Sequence, residues 1–237
     1  MIAVDFILAL AEESRMNKQS KGRPPVPARN PRSRAATTVA VRSGVRRDEL
    51  IEVAARVFAA QGYGNTSIQE IADQVGLLKG SLYHYIATKE DLLFEVIRST
   101  MITWQDLVSS ARNSNAATLE KLHNYIYNNI VGSLNARERT AVFTHDFQAL
   151  SPKRQKVILE MRQDHDDLLR ELINKAKVEK LISGDVNVKL TALAILTMSG
   201  SLYRWYNPAG ELRAEMIAAS LTEFVMRGLG AGPSDAG

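Results

Sequence analysis

The chain has 237 residues, enough for one large or two small domains around an apolar core. It has no cysteine, which excludes a disulfide framework and thiolate metal sites and fits a reducing cytosol. Its formal charge of +4 is unevenly spread: residues 14–47 carry ten Lys or Arg and no acid, leaving 20 basic against 26 acidic residues elsewhere. A basic arm on an acidic body suits a polyanionic partner.

In chain order, Met1 to Ala11 is apolar apart from Asp5 and is followed by Glu12-Glu13. It lacks the charged start and small-residue end of a secretory signal, and a bilayer span takes about 20 residues, so no membrane partner and a cytoplasmic location are expected. Met16 offers a second start. Residues 17–44 hold four of the seven prolines, and residues 1–44 as a whole are expected to be a disordered basic arm.

From Arg46 the periodicity is helical. Leu50, Val53, Ala54, Val57 and Phe58 mark one face of a helix ending near Gln61-Gly62. Ile68, Ile71, Ala72 and Val75 mark a second, opened by Thr66 or Ser67 with Gln69 or Glu70 as a capping box. A three-residue turn, Gly76-Leu77-Leu78, leads to a third helix anchored by Leu82 and Ile86. Thr88 and Asp91 open a long helix through Leu92, Val96, Trp104 and Val108. Further helices are predicted at roughly 116–133, 136–150, 152–179, 187–206 and 211–229, with Asn135 and Glu138 capping one and Ser151-Pro152 opening the next. Hairpin-bounded alternation is absent, so the fold class is all-α, with about nine helices. The domains are expected at 1–44 (arm), 45–91 (head), 92–230 (body) and 231–237 (tail).

Two short helices across a tight turn are the pattern of a helix-turn-helix, which lays its second helix in the DNA major groove. Leu82 and Ile86 turn inward, leaving Ser81, Tyr83 and His84 free to reach base edges. Lys79 and Lys89 offer ammonium groups to phosphates, and Arg46 and Arg47 extend the basic arm to the head.

The run Phe58-x3-Gly62-Tyr63-x2-Thr66-Ser67-Ile68-x2-Ile71-Ala72-x3-Gly76-x2-Lys79-Gly80-x-Leu82-Tyr83-x-Tyr85-x3-Lys89-Glu90-x-Leu92 resembles the amino-terminal signature of the TetR family of transcriptional repressors. The resemblance covers about residues 46–97. It implies DNA contacts at Thr66, Ser67, Gln69, Lys79, Ser81, Tyr83, His84, Tyr85 and Lys89. Leu78 stands where these proteins often carry Ser, which removes a side-chain cap, and Ile86 replaces a frequent Phe.

For the body, the resemblance implies an effector pocket and a homodimer interface made by the last two long helices. Small residues on helix 187–206 permit close packing, and Leu193, Trp205, Leu221, Phe224 and Val225 are the interface candidates. Paired across a two-fold axis, they would set two recognition helices roughly 34 Å apart. His123 and His165 lie on apolar stripes, and polar groups there need a partner. Together with Trp104, Tyr127, Phe143, His145, Phe147, Met161, Tyr203 and Arg204 they are the ligand-binding candidates, with an elongated apolar cavity expected. Leu202 to Gly210 is similar to a segment of TetR-type regulators of fatty-acid and steroid breakdown, which respond to acyl-CoA thioesters. The reading is a repressor that binds a palindromic duplex DNA operator and is released by a small lipophilic effector, an acyl-CoA by resemblance.

The alternative is an all-α metal-dependent phosphohydrolase using His123, His145, Asp146 and His165, an imidazole and carboxylate set suited to a divalent metal. No Gly-rich phosphate loop, nucleophile elbow or CxxC is present, so neither catalysis nor a cofactor is expected.

Overall fold

The computed structural model describes residues 34–230, with side chains from Arg47 onward. The arm up to residue 33, the side chain of Arg46 and the tail 231–237 lie outside the described residues. Contacts divide the chain at Arg46/Arg47, and the packing below belongs to the unit beginning at Arg47.

The described residues form nine α-helices and no strand. They are α1 (Arg34–Gln61), α2 (Ile68–Val75), α3 (Lys79–Leu82), α4 (Lys89–Asn113), α5 (Thr118–Asn135), α6 (Arg137–Asp146), α7 (Pro152–Val178), α8 (Val188–Ser201) and α9 (Ala214–Gly228). Short 3₁₀ turns at Phe147–Ala149 and Leu202–Arg204 extend α6 and α8. The expected elements are all present, with three differences. Helix α1 begins at Arg34, twelve residues ahead of the predicted start, because no proline interrupts Arg34 to Gln61. Asn135 does not cap α6; it is the last residue of α5, and Ala136 opens α6 with no side-chain cap. Helix α3 is a single turn, carried on to Ile86 by turn hydrogen bonds from His84 N–H to the Ser81 carbonyl (3.2 Å) and from Tyr85 and Ile86 N–H to the Leu82 carbonyl (2.9 and 3.2 Å).

In the head, Leu50, Val53, Ala54, Val57 and Phe58 of α1 are buried, as are Ile71, Ala72, Leu82 and Ile86 and, from the start of α4, Leu92, Leu93, Val96 and Ile97. This core lies almost wholly within a span of fifty residues. In the body, α4 packs most extensively on α7, and α5 on α9. The body core joins Leu122, Tyr125, Ile126 and Ile130 of α5 to Leu169, Leu172 and Ile173 of α7, to Ala192 and Ile195 of α8 and to Ile217 and Ala218 of α9. No helix among the described residues is long and apolar enough to cross a membrane.

Candidate functional site

Backbone hydrogen bonds fix the head around its turn. Gly76 ends α2 at φ +71°, where the Leu77 N–H reaches the Ala72 carbonyl (2.9 Å) and the Gly76 N–H the Asp73 carbonyl (3.2 Å). The pair of hydrogen bonds around a left-handed residue fixes this turn. Ser67 caps α2, its Oγ accepting the Glu70 N–H at 3.1 Å. The reciprocal half of the capping box is missing, since the Glu70 carboxylate accepts from Gln61 Nε2 at 2.7 Å and ties α2 to α1.

That tie corrects one site residue. Thr66 is buried, donates to the Gly62 carbonyl (2.9 Å) and accepts from Gln61 Nε2 (3.2 Å), so its hydroxyl is used inside the head and leaves the DNA-facing set. The others remain at the surface. Lys79, Tyr83 and His84 are exposed and Ser81 and Tyr85 half-buried, while Leu82 and Ile86 are buried. Gln69 and Ser67 are exposed beside them, with Gln69 donating to Asp73 at 2.7 Å. Lys89 Nζ sits 4.4 Å from the Tyr63 ring centroid and 3.5 Å from the Gly64 carbonyl, which fixes a cation at the edge of this face. Arg47 is paired with Glu95 at 3.2 Å.

The ten ligand-binding candidates divide into groups. Trp104 stacks on His165 (4.8 Å between centroids) and meets Phe143 edge-on (5.9 Å), and Phe143 meets Phe147 in turn (5.7 Å). Met161 is half-buried one turn before His165 on α7. His145 and Tyr203 form a separate surface pair, Nε2 to hydroxyl at 2.7 Å, with the Arg204 guanidinium beside the tyrosine. His123 and Tyr127 stack on each other along α5 (6.4 Å). The expected single lining is therefore corrected to one interior cluster and two outlying pairs. The elongated cavity is corrected as well, because the interior rings close on each other. Two open clefts occur on the described surface, of about 660 Å³ between α8 and α9 and about 360 Å³ between α1 and α4, and these rings line neither.

Sequence reasoning flagged His165 but missed the partners that surround it, Asn129 and Arg162. His165 is buried with Nε2 3.0 Å from Asn129 Oδ1, and its carbonyl accepts the Tyr125 hydroxyl at 2.9 Å. Burial pushes the His165 pKa below the ordinary histidine value against the pull of Asp166, so the ring is neutral at pH 7. Burial also opposes charge on Asp166, but Arg162, 3.3 Å away, and the His165 ring hold its carboxyl below the usual range. Arg162 in turn lies 5.7 Å from the Phe143 ring centroid. Burial raises the Tyr125 phenol. Asn129 and Arg162 carry no motif, and only the fold brings them to His165.

The cluster is wired to the head. Asp146, at the end of α6, accepts the Tyr63 N–H at 3.3 Å, and its half-burial raises its pKa. Glu90 accepts the Ser151 N–H at 2.9 Å, which holds its carboxyl below the usual range. Arg154 of α7 bonds to Asp91, contacts Glu90 at 3.4 Å and covers the Phe94 ring. Glu52 and Arg139 meet at 2.5 Å. Asp91 has two duties, since its other oxygen completes a capping box with Thr88 (2.6 Å from the Thr88 N–H). The α6–α7 corner thus holds both ends of the recognition segment, Tyr63 to Asp91, which brackets α2 and α3.

The phosphohydrolase alternative is not assembled. His145 is bonded to Tyr203, Asp146 to Tyr63, His165 to Asn129, and His123 lies beside Tyr127. Among the described residues no three His, Asp or Glu side chains are grouped to hold a metal ion.

Comparison with known proteins agrees with this geometry. Residues 50–96 match the family described as bacterial regulatory proteins, tetR family, and residues 115–229 match the tetracyclin repressor-like C-terminal domain. The HTH-type transcriptional repressor KstR2 of Mycobacterium tuberculosis is 28% identical over 189 residues, 78% of this chain and 92% of that protein. The structure of that ketosteroid transcriptional regulator superposes with a TM-score of 0.73, covering 78% of this chain and 94% of the other. AibR, solved in complex with isovaleryl coenzyme A and operator DNA, is 28% identical with a TM-score of 0.67, covering 76% of this chain and 97% of that one.

Proposed function

The chain belongs to the tetR family of bacterial regulatory proteins, and from that premise we propose that it is a cytoplasmic, non-enzymatic repressor that binds an operator as a homodimer and is released by a small acyl-CoA. The observation that carries this reading is the grip of the α6–α7 corner on the recognition segment through Asp146, Ser151 and Arg154.

Duplex DNA meets the α3 face. Lys79 and Lys89 serve phosphates, Ser81 and His84 base edges, and Tyr83 and Tyr85 present rings and hydroxyls. Ser67 and Gln69 flank them at the amino end of α2. The dimer reading rests on α8 and α9, which leave large apolar side chains in water. Phe224 is 71% exposed and Trp205 56%, with Leu193, Leu221 and Val225 half-buried alongside. Water-exposed apolar patches of this kind mark protein interfaces.

The effector reading rests on the interior cluster. Its rings are packed against each other, so an apolar chain enters only by parting Trp104 from Phe143 and His165. Phe143 lies one turn before Asp146 on α6, and His165 shares α7 with Arg154. Parting the rings therefore moves the residues that hold Tyr63, Glu90 and Asp91. An effector favours whichever state it binds better, and its differential affinity is the whole driving force for release. AibR binds isovaleryl coenzyme A and operator DNA, and the KstR2 relative is named as a ketosteroid regulator, which supports a thioester of a short or polycyclic acid.

The test is operator binding followed by fluorescence anisotropy while isovaleryl-CoA and longer or polycyclic acyl-CoAs are titrated. At least one is expected to weaken binding by ten-fold or more. Operator binding insensitive to the whole panel would leave the DNA reading intact and remove the acyl-CoA reading.

A further inference from the structure

Leu78 is the most exposed large apolar side chain among the described residues, at 80%. It precedes the first residue of α3, with extended backbone (φ −66°, ψ 142°) and no side-chain cap. Its position is nonetheless fixed. Its carbonyl accepts the Ser81 and Leu82 N–H groups at 2.8 and 3.2 Å, and the hydrogen-bonded turn at Gly76-Leu77 holds the chain immediately before it. A leucine here does nothing for the fold and cannot bond a phosphate.

The residues around it point to an occupant. Gly80, two positions on, is exposed, and a Cβ built on it would have no heavy atom within 4 Å. Gly80 thus adds no side chain to the exposed surface of α3, and Leu78 and Tyr83 (48% exposed) are the large apolar or aromatic side chains exposed along this segment. A duplex can approach closely there. The apolar element that the major groove offers is the thymine C5 methyl.

We infer that Leu78 reads a thymine methyl in each operator half-site, a specificity-determining contact at a position without a capping side chain. The inference rests on the reading that α3 enters the major groove. It extends that reading from where DNA binds to which base is preferred.

The experiment uses the full-length chain. Wild type and Leu78→Ala select duplexes from a randomised DNA pool, and each thymidine of the wild-type winner is then replaced by deoxyuridine, which removes one methyl and nothing else. Wild type is expected to lose about fourfold in affinity at one thymine per half-site, the equivalent of ~0.8 kcal/mol for one buried methyl-sized group. Leu78→Ala is expected to bind both forms equally, and Leu78→Met to keep the discrimination. Equal methyl sensitivity in wild type and Leu78→Ala, or none in wild type, overturns the inference while leaving DNA binding in place. A pool that never enriches overturns the DNA reading itself, and the inference with it. Circular dichroism of Leu78→Ala matching wild type excludes misfolding, to which an 80% exposed side chain is indifferent.

Discussion

Head and body of this chain are both helical, but their cores are specified differently. The head core lies mostly within residues 50–97, and its turns close over three to five residues. The body's interior cluster joins residues of α4, α5, α6 and α7, and its polar members depend on partners far along the chain: Tyr125 to His165 across 40 residues, His165 to Asn129 across 36. Local specification makes a reader that keeps its shape whatever the body does. Non-local specification makes the core whose rearrangement is the proposed response to effector. The side-chain ties described between them are ion pairs and hydrogen bonds of partly exposed groups, the kind that can break singly without melting either side, while α4 runs continuously from one into the other.

The largest effect should come from Leu82→Ala. The side chain is fully buried and its loss costs about 2–5 kcal/mol. If head and body are built separately, operator binding disappears while the body keeps its own thermal transition. A single transition shifted as a whole would show that the two cores are one.

His165→Ala is next, at roughly 2–4 kcal/mol, because it removes the ring under Trp104 and leaves Asn129 without its partner. The same residue sets a pH dependence. Its folded pKa lies below the ordinary value, so between the two the unfolded chain binds the extra proton. Its contribution is whole above about pH 6.5 and is lost as pH falls below that value. Urea midpoints measured at descending pH should decline through this window in wild type, and much less in His165→Phe.

Arg154→Ala tests the link. It removes the ion pair to Asp91 while leaving Asp91 its cap on α4. A loss of about 1 kcal/mol in coupling is expected, read as roughly fivefold less operator release at saturating effector, with the stability of either region nearly unchanged. The smallest effect should be Lys180→Gly. Lys180 takes the left-handed conformation (φ +59°) that ends α7, and glycine there should raise stability by ~0.5–1 kcal/mol in thermal melts.

The same contrast decides what could be read from the sequence. The helix order, the Gly76 turn, the Thr88–Asp91 capping box and the inward Leu82 and Ile86 are all set by residues within a few positions of each other, and all were legible. Thr66 and Ser67 were interchangeable as caps by pattern, and only Gln61 Nε2, reaching across from α1, decides for Ser67 by occupying Thr66. In the body, apolar spacing located the helices and flagged His123 and His165 as residues needing partners. It could not say that Asn129 and Arg162 would supply those of His165, nor that His145 would face Tyr203 at the surface. Arg154 looked like any solvated residue in a first helical turn, because its partners lie more than sixty residues back.

The central claim is that an effector parts the Trp104–His165–Phe143 cluster and thereby loosens the α6–α7 corner from the head. Fluorotryptophan incorporation gives two ¹⁹F resonances, one for each tryptophan of the chain, and Trp104→Phe assigns them. With operator-bound protein titrated by an acyl-CoA that releases DNA, the Trp104 resonance should shift with the same midpoint as the release. Release with the Trp104 resonance unmoved would contradict the account.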